Sequence, residues 1–223
     1  MHPHMRGPWS VQPDDSRRRM VDRQLRRRDI RDERVLAAME RVPRELFLPA
    51  ELRRRAYDDA ALPIAGGQTM SQPYIVAKMC ELLSLDGDER VLDVGSGSGY
   101  HAAVLAELAD EVVTIERIPE LARSARENLA AAGYDDVEVR VGDGTRGVPE
   151  RAPFAAIAVA AAAPELPGAL YDQLEVGGRI VVPVGGRTNQ RLQLIVRSPE
   201  GPAMLRSVPC RFVPLVGEGG FEE

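Results

Sequence analysis

Lysine is almost missing from this chain of 223 residues: Lys78 is the only one, so nearly every positive charge is a guanidinium. Arginine is an equally usable surface cation, so this scarcity carries no chemical meaning by itself. Cysteine is scarce too. Cys80 and Cys210 are too few for a disulfide framework, and neither stands in a CxxC or Cys/His spacing that would hold a metal. Two reduced thiols in a cytoplasmic protein are the expectation. No run of 18 apolar residues occurs, and MHPHMRGPWSVQPDD lacks the apolar core of a signal peptide, so no membrane partner is expected. A net charge of −5 and a pI near 5.4 fall short of the basic total expected of a protein that holds nucleic acid through its phosphates.

The charge is unevenly spread. Residues 16–55 carry 14 Arg against 7 Asp plus Glu, whereas the remainder of the chain is acidic. A solvated helical face is the simple explanation, and a patch that attracts acidic peptide is the alternative.

The length suits one large domain with an N-terminal addition. Residues 1–15 hold three prolines and a glycine without periodicity and are expected to form a disordered extension. Residues 16–85 are expected to form a helical region. There Ser16 would cap a helix bearing Met20, Val21 and Leu25, and a second helix over 32–41 would carry Val35, Leu36 and Met39. Pro73 would start a third, with Ile75, Val76, Met79, Leu82 and Leu83 as its apolar face.

From residue 86 the pattern alternates. RVLDV, EVVTIE, VEVRV, FAAIAVAAAA and GRIVVPVG have the composition of buried strands; GYHAAVLAELA, PELARSARENLAAAG and ELPGALYDQL have that of helices. Such alternation implies a doubly wound α/β fold with a mostly parallel sheet. RLQLIVRS and AMLRSVPCRFVPLV follow without a helix between them, which implies an antiparallel edge at the C-terminal end.

The motif VLDVGSGSGY places Gly95, Gly97 and Gly99 between a strand and a helix. Glycines there permit positive φ and close approach of a ligand to the backbone. The third glycine of the dinucleotide spacing GxGxxG is absent, and Tyr100 stands in its place. Asp93 precedes the loop, Glu116 ends the next strand at the distance suited to ribose hydroxyls, and Asp143 ends a third strand in VGDG. Three acids at the carboxyl ends of adjacent strands imply one cleft with a nucleoside ligand. NAD and S-adenosylmethionine both qualify by their ribose and adenine. A pyrophosphate would want the third glycine, whereas an acid at the loop mouth suits a sulfonium cofactor with an α-amino group, so Asp93 tips the choice to methyl transfer.

One further stretch, AGGQTMSQPY at 65–74, offers Gln68, Thr69 and Ser71 but no acid, base or metal ligand. His101 is read as a packing or solvent-facing group at a helix start.

Taken in order, RMVDRQLRRRDIRDERVLAAMERVPRELFLP, AYDDAALPIAGGQTMSQPYIVAKMCELL, VLDVGSGSGY, VGDG, AAAPELPGAL, LEVGGRIVVPVG and RFVPLVG resemble the blocks of the protein-L-isoaspartate (D-aspartate) O-methyltransferases. The resemblance runs from about Arg17 to Gly217, and LPIAGGQTMSQP and RFVPLVG are its most particular parts. It implies a class I AdoMet-dependent methyltransferase fold, Rossmann-like, with residues 86–223 as the cofactor domain. It implies S-adenosylmethionine as cofactor, no metal, and a monomer acting on isoaspartyl-containing proteins and peptides.

By the same resemblance Gly95, Ser96, Gly97 and Gly99 would line the methionine part of the cofactor. Glu116 would take the ribose hydroxyls, and Asp143 with Gly144 the adenine edge, with Asp93 and Arg117 in the same binding set. Thr69 and Ser71 would be the catalytic pair. Gln68, Met70, Val213, Leu215 and Val216 would meet the acceptor peptide. The chain departs from the family pattern at Asp29, where glycine is common and only a local turn is expected to change, and at Ala155 and Ala160. A same-fold carboxyl methyltransferase with a dedicated peptide is one alternative, and a silent AdoMet-binding homologue, prompted by Ala155 and Ala160, is another.

Overall fold

The computed structural model describes residues 15–222. All of the extension expected over 1–15, apart from Asp15, lies outside the described residues. Asp15 opens helix α1 (Asp15–Met20), which runs on into a π-helical turn over Val21–Arg26, so Ser16 sits inside the helix and does not cap it. Helix α2 (Glu33–Arg41) has its cap one residue earlier: Asp32 Oδ1 accepts the N–H groups of Arg34 at 2.8 Å and Val35 at 3.4 Å, donors that a helix start leaves unpaired.

Two 3-10 turns follow, Arg44–Phe47 and Ala50–Arg55. Strands β1 (Leu62–Pro63) and β2 (Thr69–Met70) then pair antiparallel around a turn in which Gly66 and Gly67 have φ of 65° and 67°. Helix α3 (Pro73–Leu83) starts on its proline, which has no N–H to lose at that position. Asp29 reaches α3, accepting from Tyr74 Oη at 2.7 Å and Lys78 Nζ at 2.9 Å. Asp29 is therefore a brace for α3 and does more than shape a local turn.

The remainder is β3 (Arg90–Val94), α4 (Tyr100–Ala106), β4 (Glu111–Glu116), α5 (Pro119–Ala131), β5 (Glu138–Val141), β6 (Phe154–Val159), α6 (Gly168–Asp172), β7 (Leu174–Gly185), β8 (Gln190–Ser198) and β9 (Gly201–Cys210). Helix α6 is shorter than the sequence suggests because Leu174 already belongs to β7. The large sheet has the order β5-β4-β3-β6-β7-β8-β9, parallel from β5 to β7 and antiparallel from β7 to β9.

Two apolar clusters cover the faces of this sheet. Val91 of β3 joins the cluster built on the N-terminal helices with α3 and α4, and Leu92 and Val94 join the opposite one. This is the period-2 alternation of a strand buried on both faces. It carries a consequence for the site: Asp93 falls on the same face as Val91, beneath α4. The chain steps from β3 outward to β5, then returns past β3 to β6, so the loops after β3 and β6 diverge and open a crevice at their carboxyl ends.

Candidate functional site

The crevice begins with the loop after β3. Gly95, Gly97 and Gly99 have φ of 94°, 52° and 92°, values a side chain makes costly. Gly95 N–H is held by Ile115 O at 2.9 Å and Gly99 N–H by Ser96 O at 2.7 Å. At Gly99 a Cβ would come within 3.1 Å of Leu129 Cγ, so this glycine also lets α4 pack on α5.

Glu116, at the end of β4, closes the loop from the side. Its Oε2 accepts Gly97 N–H and its Oε1 accepts Ile118 N–H, both at 3.0 Å. Each oxygen has a second lone pair left for a hydroxyl donor. Ile115 and Ile118 give the same wall an apolar surface. Gly144 after β5 approaches Val94 so closely that a Cβ would lie 2.7 Å from Cγ1.

The C-terminal segment forms the facing wall. Ala162 N–H donates to Val213 O at 2.8 Å and Leu215 N–H to Ala162 O at 2.7 Å, so 213–216 runs extended beside the chain leaving β6. Gln68 and Thr69 complete the cavity from the β1–β2 hairpin.

Of the residues picked from sequence, Gln68, Thr69, Gly95, Gly97, Glu116, Arg117, Gly144, Val213, Leu215 and Val216 all line this one cavity. The other side chains are placed elsewhere. Asp93 is not at the loop mouth; it has no exposed surface, because strand alternation turns it under α4. There Thr114 Oγ1 donates to its Oδ2 at 2.8 Å, and His101 Nδ1 lies 2.9 Å from its Oδ1. Ser96 is buried on the same line, its Oγ 2.6 Å from Thr114 Oγ1. Since Thr114 spends its proton on Asp93, Ser96 is the donor. Gly99 caps α4 behind the cavity wall.

Asp143 is half-buried and turned to its own chain. Its Oδ1 accepts from Thr145 N and Oγ1 at 2.9 and 2.7 Å, and its Oδ2 from Glu218 N at 3.0 Å. Burial alone would raise its pKa, but these donors hold the carboxyl below its ordinary value. Met70 is buried in the core and pairs with Leu62. Ser71 stands two residues beyond Thr69, half-buried, its carbonyl accepting from Arg44 Nη2 at 2.8 Å.

His101 is packed in the interior and does not face solvent, and it pairs with Asp93 as well. Burial would lower its pKa, but the Asp93 carboxylate overcomes this and raises it to about 10, leaving a buried imidazolium. Ile115, Ile118, Ala161 and Pro214 also line the cavity without having been picked as site residues; Ala160, noted only as a departure, lines it too. Ile115, Ala160 and Ala161 stand at or just past strand ends, a position ordinary core residues share; Ile118 directly precedes α5, and Pro214 lies within the RFVPLVG block.

A parallel sheet with this switch point, a glycine loop and an acid at the end of the second strand define a Rossmann-like nucleoside-binding fold, a class that NAD enzymes and class I methyltransferases share. Comparison with known proteins narrows the class. The chain belongs to the protein-L-isoaspartate(D-aspartate) O-methyltransferase family, which it matches over residues 15–220. It is 53% identical over 231 residues to a protein-L-isoaspartate O-methyltransferase of Hyperthermus butylicus, covering 97% of this chain and 96% of that one. It is 57% identical over 209 residues to protein-L-isoaspartate O-methyltransferase 2 of Marinobacter nauticus, with coverage of 93% and 95%. Among solved structures, one from Plasmodium falciparum, assigned to the same activity and in complex with S-adenosyl-L-homocysteine, superposes with a TM-score of 0.79 at 26% identity. It covers 90% of this chain and 98% of that one.

Proposed function

We propose that this protein transfers the methyl group of S-adenosylmethionine to the α-carboxylate of L-isoaspartyl residues, and of D-aspartyl residues, in damaged proteins and peptides, so starting their repair through succinimide formation. The observation that carries this is the family match across residues 15–220, supported by Gln68 and Thr69 of the 65–74 stretch and the 213–216 segment lining the same cavity as the glycine loop.

The cavity suits the cofactor on its own terms. Gly95 and Gly97 present bare backbone, Glu116 keeps lone pairs for ribose hydroxyls, and Ile115, Ile118 and Leu215 offer apolar surface to a base. When bound, S-adenosylmethionine supplies a methyl group already activated by its sulfonium. The acceptor carboxyl, with a pKa of roughly 3.5 to 4, is already ionised at neutral pH, so no general base is needed. What the chain contributes is alignment and the exclusion of water. Thr69 and Ser71 orient the carboxylate by hydrogen bonds, Gln68 and Met70 shape that side, and Val213, Leu215 and Val216 hold the peptide along the opposite wall. Asp93 and Ser96 act from below the glycine loop, and Asp143 through the C-terminal segment.

Residues 16–85 then serve as the acceptor-side region and 86–223 as the cofactor domain of a cytoplasmic monomer. Incubation with methyl-labelled S-adenosylmethionine and two peptides differing only in isoaspartyl or aspartyl linkage tests the function. Base-labile label on the isoaspartyl peptide alone is expected; equal labelling of both, or none, refutes it.

A further inference from the structure

Arg44 opens the 3-10 turn after Pro43 and is among the largest side chains with no exposed surface. Burying a cation is costly, and the usual remedy is a carboxylate partner. Arg44 makes no ion pair among the described residues. Its Nε donates to Ala56 O at 2.7 Å, its Nη2 donates to Ser71 O at 2.8 Å, and its Cζ stands 4.7 Å from the centre of the Tyr100 ring. Its Nη1 is buried without an acceptor. Burial draws the guanidinium pKa below its ordinary value, with Tyr100 opposing that.

These anchors belong to separate parts of the molecule. Ala56 follows the second 3-10 turn, Ser71 lies between β2 and α3, and Tyr100 is the first residue of α4, directly after Gly99. Phe47, three residues beyond Arg44, packs edge-on against the same Tyr100 ring at 5.6 Å. A well-packed apolar side chain would fill this space without the desolvation cost, since replacing buried ionic groups in that way is often neutral or stabilising. Lysine would not substitute either: a point charge cannot hold two carbonyls in a planar fork and face a ring at once.

We propose that Arg44 is a positioning residue whose guanidinium fixes the Ser71 backbone relative to the Tyr100 end of the glycine loop, the two sides of the methyl-transfer site. The catalytic consequence rests on the function proposed above; the geometric one does not.

The test compares Arg44→Met and Arg44→Lys with the wild type by amide hydrogen exchange, thermal melting, S-adenosylhomocysteine binding and steady-state kinetics on an isoaspartyl peptide. Arg44→Met is expected to fold and to exchange at least about tenfold faster locally over 62–72. Its kcat should fall by at least about tenfold, while the peptide KM and the S-adenosylhomocysteine Kd move by less than about threefold. Arg44→Lys should recover only part of either loss. Wild-type exchange and kcat in a folded Arg44→Met protein would overturn the proposal. So would faster exchange spread evenly through the core in step with Tm, which is the mark of ordinary packing. Should Arg44→Met not fold, a folded Arg44→Lys protein with wild-type exchange over 62–72 would overturn it equally. If the wild type methylates neither peptide, the exchange measurement still decides the role of Arg44, and the kinetic failure falls on the proposed activity alone.

Discussion

Asp93 and His101 form an ion pair sealed from water: His101 Nδ1 lies 2.9 Å from Asp93 Oδ1, with the carboxylate fully buried. Thr114 donates to the other oxygen, and Cys80 Sγ lies 3.7 Å from His101 Nε2 on the far side of the ring. The pair joins β3 to α4, the two elements that flank the glycine loop, with Cys80 of α3 beyond it.

Because the folded pKa of His101, about 10, lies above the unfolded value of roughly 6.5, the protonated ring stabilises the folded state fully below the unfolded value. That contribution is lost progressively as pH rises toward 10. Wild-type Tm should therefore decline between pH 7 and pH 10, and His101→Gln should show a flatter profile over the same window. Parallel profiles would exclude the pair as the cause. At pH 7, His101→Gln should cost about 3–5 kcal/mol, since it strands a buried carboxylate, and adding Asp93→Asn should restore part of that. Chemical denaturation measures both.

Glu116 accepts one backbone N–H from the glycine loop, at Gly97, and one from Ile118 just after β4, and is proposed to accept ribose hydroxyls as well. Hydrogen bonds to a charged group are worth about 1.5–3 kcal/mol. Glu116→Ala should raise the Kd for S-adenosylhomocysteine by at least about tenfold in calorimetry. An unchanged Kd would remove Glu116 from the ligand set.

Ser71 is assigned one hydrogen bond to the acceptor carboxylate. Its removal in Ser71→Ala should lower kcat/KM by roughly 10- to 150-fold, with S-adenosylhomocysteine binding unaffected. Full activity would mean that Thr69, which lines the cavity, performs the orientation alone.

Asp143 ties the end of β5 to the C-terminal segment through Thr145 and Glu218. Gly217 belongs to the same clamp, because a Cβ there would strike Asp143 Oδ1 at 2.1 Å. Asp143→Ala should loosen residues 213–221, seen as faster tryptic cleavage after the exposed Arg211. The depressed pKa sets the direction with acid: the clamp contributes stability above the ordinary aspartate value and loses it as pH falls through the lower, folded one. Cleavage rates equal to wild type would show that the segment is held by other contacts.

Much of this molecule was legible from local pattern. Apolar strands alternating with helices announced a parallel sheet, because a strand covered on both faces reads as a continuous apolar run. Glycines at 95, 97 and 99 announced the loop, because positive φ excludes most side chains. Glu116 was legible for a related reason: the length of one strand–helix–strand unit sets how far along the chain an acid must stand to face that loop.

Asp93 shows where local reading stops. Its nearness to the glycine loop suggested an acid at the mouth, yet strand alternation places it with Val91 beneath α4, where His101 neutralises it. Parity along β3 was available from the sequence, but which face would be the crevice was not. Arg44 was still less accessible: it reads as one more arginine in a basic stretch, and only packing against Tyr100 and Ser71 makes it a buried brace.

The sequence by itself therefore determined the elements, the glycine loop and the family blocks, since each depends on residues a few positions apart. The tertiary structure alone decided which polar groups face the cavity and which are spent holding it together. Donors and acceptors such as Asp143 and Glu218, or Arg44 and Ser71, are far apart in the chain, and their pairing exists only once the sheet, the helices and the C-terminal segment have met.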